Sequence, residues 1–384
     1  MNKPSTLQSV MTSVNRANGL PNAHYIDPVV FAEERASVLF ASWSGVGFGK
    51  DIPEPGDAKP VDFLGVPLLL VRDQDGAIHV YQNTCRHRGM ILVEEAKNIR
   101  GTIRCPYHSW CYSLKGQLRA APHVGGVGQN THEDVKMAEL GLVSFRAHVW
   151  QDVIFVNIDG KAAPFEEVHA ELLDRWQEFD RPLHHGGPES SLKLEVNTNW
   201  KLAVENYCES YHLPWVHPGL NSYSRLEDHY NIESPGKYSG QGTLVYRQLR
   251  GAEGEVFPDF DALSDKWTTG GEYVAVYPNV LLGVQRDHTF AIVLEPRDCE
   301  QTVEHIELYY AKSSAETPEL DPLRHQNAQL WKTVFEEDIF VVEGMQKGRH
   351  GPMFDGGRFS PAMDGPTHNF HHWVATQIEA GRAS

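Results

Sequence analysis

Between about Asp62 and Tyr112 short apolar runs alternate with polar turn residues, a pattern that predicts two hairpins. The first runs over Val66 to Arg72, turns at Asp73-Gln74-Asp75-Gly76 and returns over Ala77 to Tyr81 toward Cys85. The second leads through Thr102 to Arg104 into Cys105, then Trp110 to Ser113, a Lys115-Gly116 turn and Gln117 to Ala120. A small, Pro-containing stretch, Gly160 to Pro164, then separates this strand-rich half from a mixed one, which places a domain boundary near residue 158. Beyond it Phe165 to Phe179 reads as an acidic helical segment and Asn199 to Tyr211 as a helix. Strands are predicted near Gly242 to Tyr246 and over Tyr273 to Val284, Thr289 to Glu295 and Val303 to Ala311. A long helix follows from about Pro322 to Met345.

The 384 residues suffice for two or three domains whose cores need no disulfide staples. A net charge of −17 repels phosphate backbones and anionic lipid, so small molecules and proteins are the expected partners, not nucleic acid or membrane. The longest nearly apolar run, Phe63 to Val71, is too short for a membrane span and is broken by Gly65 and Pro67. With no signal-like stretch near the start and an odd number of cysteines, five, the expected home is the reducing cytoplasm.

Two groups of residues carry chemistry. Cys85-Arg86-His87 is followed after seventeen residues by Cys105-Pro106-Tyr107-His108, which places one thiol and one imidazole on each of two loops. Such a set suits a zinc ion or a Rieske-type 2Fe-2S cluster. The one-residue Cys85-x-His87 spacing, with Arg88-Gly89 and Ser109-Trp110 beside the loops, resembles the Rieske box. The second group is His212 and His217, with Pro214 expected to break the helix so that both rings turn inward. Asp338 joins them from a helix on which Trp331, Val334, Val341 and Met345 form an apolar stripe while Glu336 and Glu337 point elsewhere. A carboxylate in such a stripe needs a cation, either a Lys or Arg partner or a metal held by a two-His-one-carboxylate triad.

In this order, the two motifs make the chain resemble the large subunit of the Rieske non-haem iron oxygenases over nearly its whole length. The resemblance implies an α+β protein: a segment 1–37 packing with the catalytic domain, an antiparallel β Rieske domain at 38–158, and a helix-grip catalytic domain at 159–384. It implies a 2Fe-2S cluster on Cys85, His87, Cys105 and His108, and mononuclear Fe(II) on His212, His217 and Asp338. It also implies a homotrimer in which the cluster of one subunit feeds the iron of its neighbour through an acidic bridge, here Glu209. Ring dihydroxylases generally carry Asp at the bridge. Glu followed by x-Tyr-His looks like the branch acting on quaternary ammonium compounds such as carnitine, glycine betaine and proline betaine, and that branch reading falls if Glu205 bridges instead.

The implied reaction uses O2 and electrons from a separate NAD(P)H-dependent flavin and iron–sulfur reductase, because no Gly-rich segment here has a nucleotide-loop context. It hydroxylates a C–H next to nitrogen and ends in oxidative N-demethylation or C–N cleavage. Aromatic faces stabilise such cations, and Tyr207, Trp215 and Tyr277 lie near the ligand segments. The cluster His368, Phe370, His371, His372 and Trp373 reads as a further pocket wall or a docking strand, and Cys111 and Cys208 as buried thiols. Two other readings compete: a ring-hydroxylating dioxygenase of aromatic substrates, and a Rieske electron carrier without oxygen chemistry, which has no use for the second group.

Overall fold

Leu68, Leu69, Leu70 and Val71 are consecutive and completely buried, so the strand they form has both faces covered. In the computed structural model, which describes residues 5–383, this strand lies inside an antiparallel sheet. Residues 1–4 and 384, the outer ends of the expected first and last segments, lie outside the described residues. The chain divides into two compact units, Gly45–Lys161 and a second unit made of the residues up to Ser44 together with those from Ala162 onward.

The first unit holds β1 (Ser44–Phe48), β2 (Asp57–Phe63), β3 (Val66–Arg72), β4 (Ile78–Gln82), β5 (Lys97–Asn98), β6 (Thr102–Arg104), β7 (Cys111–Ser113), β8 (Leu118–Ala120), β9 (Ser144–Trp150) and β10 (Val153–Asn157). They form a seven-stranded sheet in the order β1-β10-β9-β4-β3-β2-β5 and a small sheet β6-β7-β8. Both expected hairpins are present, and each delivers the chain to a Cys-containing loop. Between them lies a core that includes Tyr81, Cys85, Cys105, Trp110 and Tyr112.

The second unit is built on an antiparallel sheet of β11 (His184–His185), β12 (Ser191–Val196), β13 (His229–Ser234), β14 (Tyr238–Thr243), β15 (Gly271–Val276), β16 (Val280–Val284), β17 (His288–Pro296) and β18 (Thr302–Tyr310). The order is β11-β18-β17-β16-β15-β14-β13, with β12 also paired to β18. Three helices pack on it: α1 (Trp200–Tyr207), α2 (Asp321–Arg349) and α3 (Gly365–Ala383). This is the α+β architecture expected, an antiparallel β domain followed by an antiparallel sheet gripped by helices. No helix among the described residues is long and apolar enough to cross a membrane.

Several expected elements differ in detail. The run Tyr273 to Val284 is two strands, because Pro278 in the intervening turn has no N–H for a ladder. The strand expected near Gly242 to Tyr246 lies earlier, at Tyr238–Thr243, and the segment Phe165 to Phe179 is three short helical pieces. The C-terminal His and aromatic cluster is not a strand but lies in α3, where Phe370, Val374 and Ile378, spaced by four, make one buried face.

Candidate metal centres and their cavity

The two Cys-containing loops of the first unit share one backbone design. Cys85 N–H donates to Met90 O at 2.8 Å and Gly89 N–H to Cys85 O at 2.9 Å; Cys105 N–H donates to Trp110 O at 2.8 Å and Ser109 N–H to Cys105 O at 3.0 Å. The fourth residue after each cysteine is left-handed, Gly89 with φ 73° and Ser109 with φ 57°. Both turns bury the thiols, 3% exposed for Cys85 and 2% for Cys105, and bring His87 Nδ1 within 3.2 Å of His108 Nδ1. Two imidazoles converging by the same ring atom, with two buried thiols behind them, match the donor set of a 2Fe-2S cluster held by two Cys and two His. Burial raises the Cys85 thiol above its usual pKa, against the opposing pull of the Tyr112 hydroxyl 3.2 Å away, so a bound metal is what would hold it as thiolate. Tyr112, which also accepts from Arg86 N–H at 3.0 Å, and Trp110, stacked on His87 at 5.0 Å, brace the loops.

In the second unit Asn199 caps α1, its side chain accepting from Lys201 N–H, and the helix ends at Tyr207, four residues earlier than expected. Pro214 does not break this helix. It sits in the first turn of a new short one, Leu213–Val216, with His212 and His217 as its flanking caps. The two rings are thereby held 5.1 Å apart at 69°. His212 Nδ1 meets Glu209 Oε1 at 2.7 Å, and His217 Nδ1 meets Glu337 Oε2 at 2.7 Å. Each carboxylate accepts from Nδ1–H of its imidazole, which turns Nε2 of both rings toward Asp338 Oδ1, at 3.7 Å from His212 and 3.1 Å from His217. That Asp338 oxygen is buried and has no hydrogen-bond partner, and one ligand atom from each of the three residues lies within 4.8 Å of the others. Burial lowers the pKa of His217, but Asp338 and Glu337 outweigh it and lift the ring above its usual value, so the pocket favours positive charge. An orphaned carboxylate oxygen facing two imidazoles fits a divalent metal with open coordination positions.

One of the nearby acids departs from expectation. Glu337 does not point elsewhere; it orients His217. Glu205 belongs to another buried network, with Tyr25 donating to its Oε1, His371 at 3.1 Å and Arg349 at 3.7 Å, so Glu209 is the acid on His212. The stripe on α2 is also rotated: Trp331, Phe335, Val342, Gln346 and Arg349 are buried, whereas Val341 and Met345 are only half-buried. Asp338 thus lies beside the stripe and reaches a cavity.

That cavity is lined by His212, His217 and Asp338 and walled by Tyr207, Tyr273, Phe290, Trp331 and Phe335. Of the three aromatic candidates, only Tyr207 is part of the wall. Trp215 is 71% exposed, and Tyr277 is buried against Phe370 and Trp373 of α3, where its hydroxyl meets Ser239 Oγ at 2.6 Å. The other wall aromatics come from sheet strands and from α2, and only Trp331 was foreshadowed, seven residues before Asp338 on the same helix. Its indole N–H donates to His288 Nε2 at 2.7 Å, and His288 Nδ1 meets Asp287 Oδ1 at 2.8 Å, so this ring is held in one orientation. Behind Asp338, in a smaller cavity, Glu304 is pushed up to about 8 by burial and by the Asp338 charge.

Comparison with known proteins shows the family. The model for the ring-hydroxylating alpha subunit, catalytic domain, matches residues 174–380, and the Rieske [2Fe-2S] domain model matches residues 42–139. The chain is 26% identical over 383 residues to the chloroplastic choline monooxygenase of Arabidopsis thaliana, covering 93% of this chain and 82% of that one. It is 25% identical over 338 residues to the carnitine monooxygenase oxygenase subunit of Acinetobacter pittii, covering 85% and 84%. Among solved structures, a quaternary ammonium Rieske monooxygenase in complex with L-carnitine superposes with a TM-score of 0.76 at 22% identity, covering 98% of this chain and 99% of that one. Naphthalene 1,2-dioxygenase from Rhodococcus sp. does so equally, with a TM-score of 0.76 at 19% identity, covering 99% and 98%. The family models span both metal-ligand segments, and the chain belongs to the Rieske non-haem iron oxygenases, whose large subunit joins a 2Fe-2S Rieske domain to a mononuclear iron catalytic domain.

Proposed function

We propose that this oxygenase acts on a quaternary ammonium substrate, hydroxylating a C–H next to the cationic nitrogen so that the product collapses with N-demethylation or C–N cleavage. The observation that carries the reading is the five-aromatic wall directly beside the three converging ligand atoms. Each ring face offers about 0.5–2 kcal/mol to a cation, more when water is excluded. The choline and carnitine monooxygenases among its relatives support the same branch.

In this reading Cys85, His87, Cys105 and His108 hold the cluster, and His212, His217 and Asp338 hold the iron. When bound, the cluster supplies single electrons and the ferrous ion activates O2 beside the substrate. Glu209 fixes the His212 tautomer and extends the contact toward the cluster of a neighbouring subunit in a homotrimer. Glu337 fixes His217 in the same way, Trp331 is locked by His288, and the apolar wall keeps water from the cation. Electrons come from a separate NAD(P)H-dependent reductase carrying flavin and an iron–sulfur centre.

The test is a single turnover of chemically reduced, iron-loaded protein exposed to O2 with choline, betaines, carnitine and aromatic acids, with products read by mass spectrometry and formaldehyde capture. Formaldehyde or a cleaved amine from a cationic compound is expected. The naphthalene dioxygenase fold match and the apolar cavity favour a second reading, ring hydroxylation, and a diol from an aromatic compound would establish it instead.

A further inference from the structure

Glu209 lies between α1 and the short helix Leu213–Val216, and its main chain belongs to neither. Its carboxylate is tied twice, through Oε1 to His212 Nδ1 at 2.7 Å and through Oε2 to the Tyr211 amide. Its carbonyl oxygen has one partner among the described residues, the side-chain amide of Gln241 on β14, whose Nε2 donates to it at 3.2 Å.

Strand pairing dictates what surrounds that amide. In the ladder of β13 with β14, His229 lies opposite Thr243 and Asn231 opposite Gln241, so His229 and Gln241 are diagonal neighbours on one face of the sheet. His229 Nδ1 meets Gln241 Oε1 at 2.6 Å, and His229 Nε2 meets Ser224 Oγ at 3.0 Å, itself 2.8 Å from Thr243 Oγ1. The Gln241 amide can be oriented only one way. A carbonyl oxygen only accepts, so the NH2 group faces Glu209, the amide oxygen faces His229, and Nδ1 carries the imidazole proton between them. Ser224, His229 and Gln241 all line the cavity that holds His212, His217 and Asp338. Gln241 is thus committed to the protein at both ends of its amide, and what it holds is the main chain of Glu209.

We infer that Gln241, aligned by His229, is a positioning residue for the electron bridge, fixing the main chain of Glu209 from the wall of the substrate cavity. The inference rests on the bridging role proposed for Glu209 and adds what holds that residue in place. Two ties on the carboxylate alone let the residue pivot about its side chain. The tie on the carbonyl removes that freedom, and a displacement of about 1 Å at such a contact can cost roughly a hundredfold in rate.

The test compares wild type with Gln241→Leu, which removes both contacts at similar volume, and Gln241→Glu, which keeps an acceptor for His229 but has no donor for the Glu209 carbonyl when ionised. His229→Leu frees the amide to rotate, and His229→Asn returns a donor near the Nδ1 position. Reduced, iron-loaded holoenzyme is mixed rapidly with O2 in the presence of choline, glycine betaine and carnitine, and cluster reoxidation is followed beside iron content and calorimetric affinity for each compound. Gln241→Leu and Gln241→Glu should each slow reoxidation roughly tenfold to a hundredfold while iron content and affinities are kept. His229→Leu should give a smaller loss, part of which His229→Asn recovers. Reoxidation at the wild-type rate in either Gln241 variant, or a slowing that lost iron or weakened binding accounts for, overturns the inference. Glu209→Gln, measured alongside, separates the two readings. If it reoxidises at the wild-type rate, the bridge falls and the role of Gln241 falls with it; if it is slow while Gln241→Leu is not, only the role of Gln241 falls.

Discussion

Glu337 Oε2 lies 2.7 Å from His217 Nδ1 and fixes which nitrogen of that ring faces Asp338. The two acids are neighbours on α2, yet Asp338 faces Nε2 of His217 and Glu337 holds its Nδ1. Adjacent helical positions are separated by about 100°, so the pair straddles His217 instead of competing for one side of it.

Removing the outer acid should therefore weaken the metal site without destroying it. Glu337→Ala is expected to lower Fe(II) affinity roughly tenfold to a hundredfold, with Glu337→Gln milder because it still accepts from Nδ1–H. Iron content measured against added Fe(II), with the Rieske absorbance as internal standard, checks this. Affinity equal to that of the wild type would remove Glu337 from the site.

Asp338→Ala deletes the carboxylate oxygen that faces both imidazoles, the proposed iron ligand. Mononuclear iron should be lost while the Rieske absorbance is retained, since the cluster ligands lie in the other compact unit. Unchanged iron content would refute the ligand role of Asp338.

Glu209 is bonded to His212 Nδ1 through one oxygen, and its other oxygen accepts from the Tyr211 amide. Glu209→Gln keeps an acceptor for the imidazole but removes the charge. Both iron centres should remain bound while electron transfer between subunits slows by roughly a hundredfold, the scale of a lost positioning contact. Rapid-mixing measurement of cluster reoxidation checks it, and full turnover in the variant would remove the bridge.

The first hairpin, the paired Cys-containing loops and the long helix were legible because local spacing determines them: an apolar strand, a Gly-containing turn, a Cys and a His on each loop. Ser109 shows where local reading stops, since its left-handed backbone is apparent only when its loop is superposed on that of Gly89. His212 and Asp338 could be paired on paper by their chemistry. Glu337 could not, because helical periodicity assigned it to another face and the short helix Leu213–Val216, which turns His217 toward it, gave no signal beyond Pro214. The aromatic wall was misread for a related reason. Trp215 and Tyr277 are near the ligands in sequence, whereas Tyr273, Phe290 and Phe335 are brought there by sheet pairing and helix packing, at separations that no local pattern records. Tyr277 in particular follows directly after β15, which places it toward α3 and away from the iron cavity.

A last prediction concerns the frame that holds the cavity wall. Glu272, next to Tyr273 on β15, is completely buried and accepts from Arg175 Nε at 2.8 Å, Trp176 Nε1 at 2.7 Å and Tyr230 Oη at 2.9 Å, with Lys266 Nζ at 2.7 Å. Burial alone would raise its pKa, but these donors outweigh it and hold the carboxyl below its usual 4.5. A depressed folded-state value means that the unfolded chain binds the proton more readily. The stability Glu272 contributes is therefore fully present above about 4.5 and is lost as pH falls through the lower folded value. Glu272→Gln should cost about 2–3 kcal/mol at neutral pH, less than a fully enclosed pair because Arg175 and Lys266 keep contact with water. Thermal unfolding midpoints of wild type and variant, compared between pH 7 and pH 3.5, should converge as the acid is protonated, and a gap that stays constant across that range would show that the carboxylate charge contributes nothing to the frame.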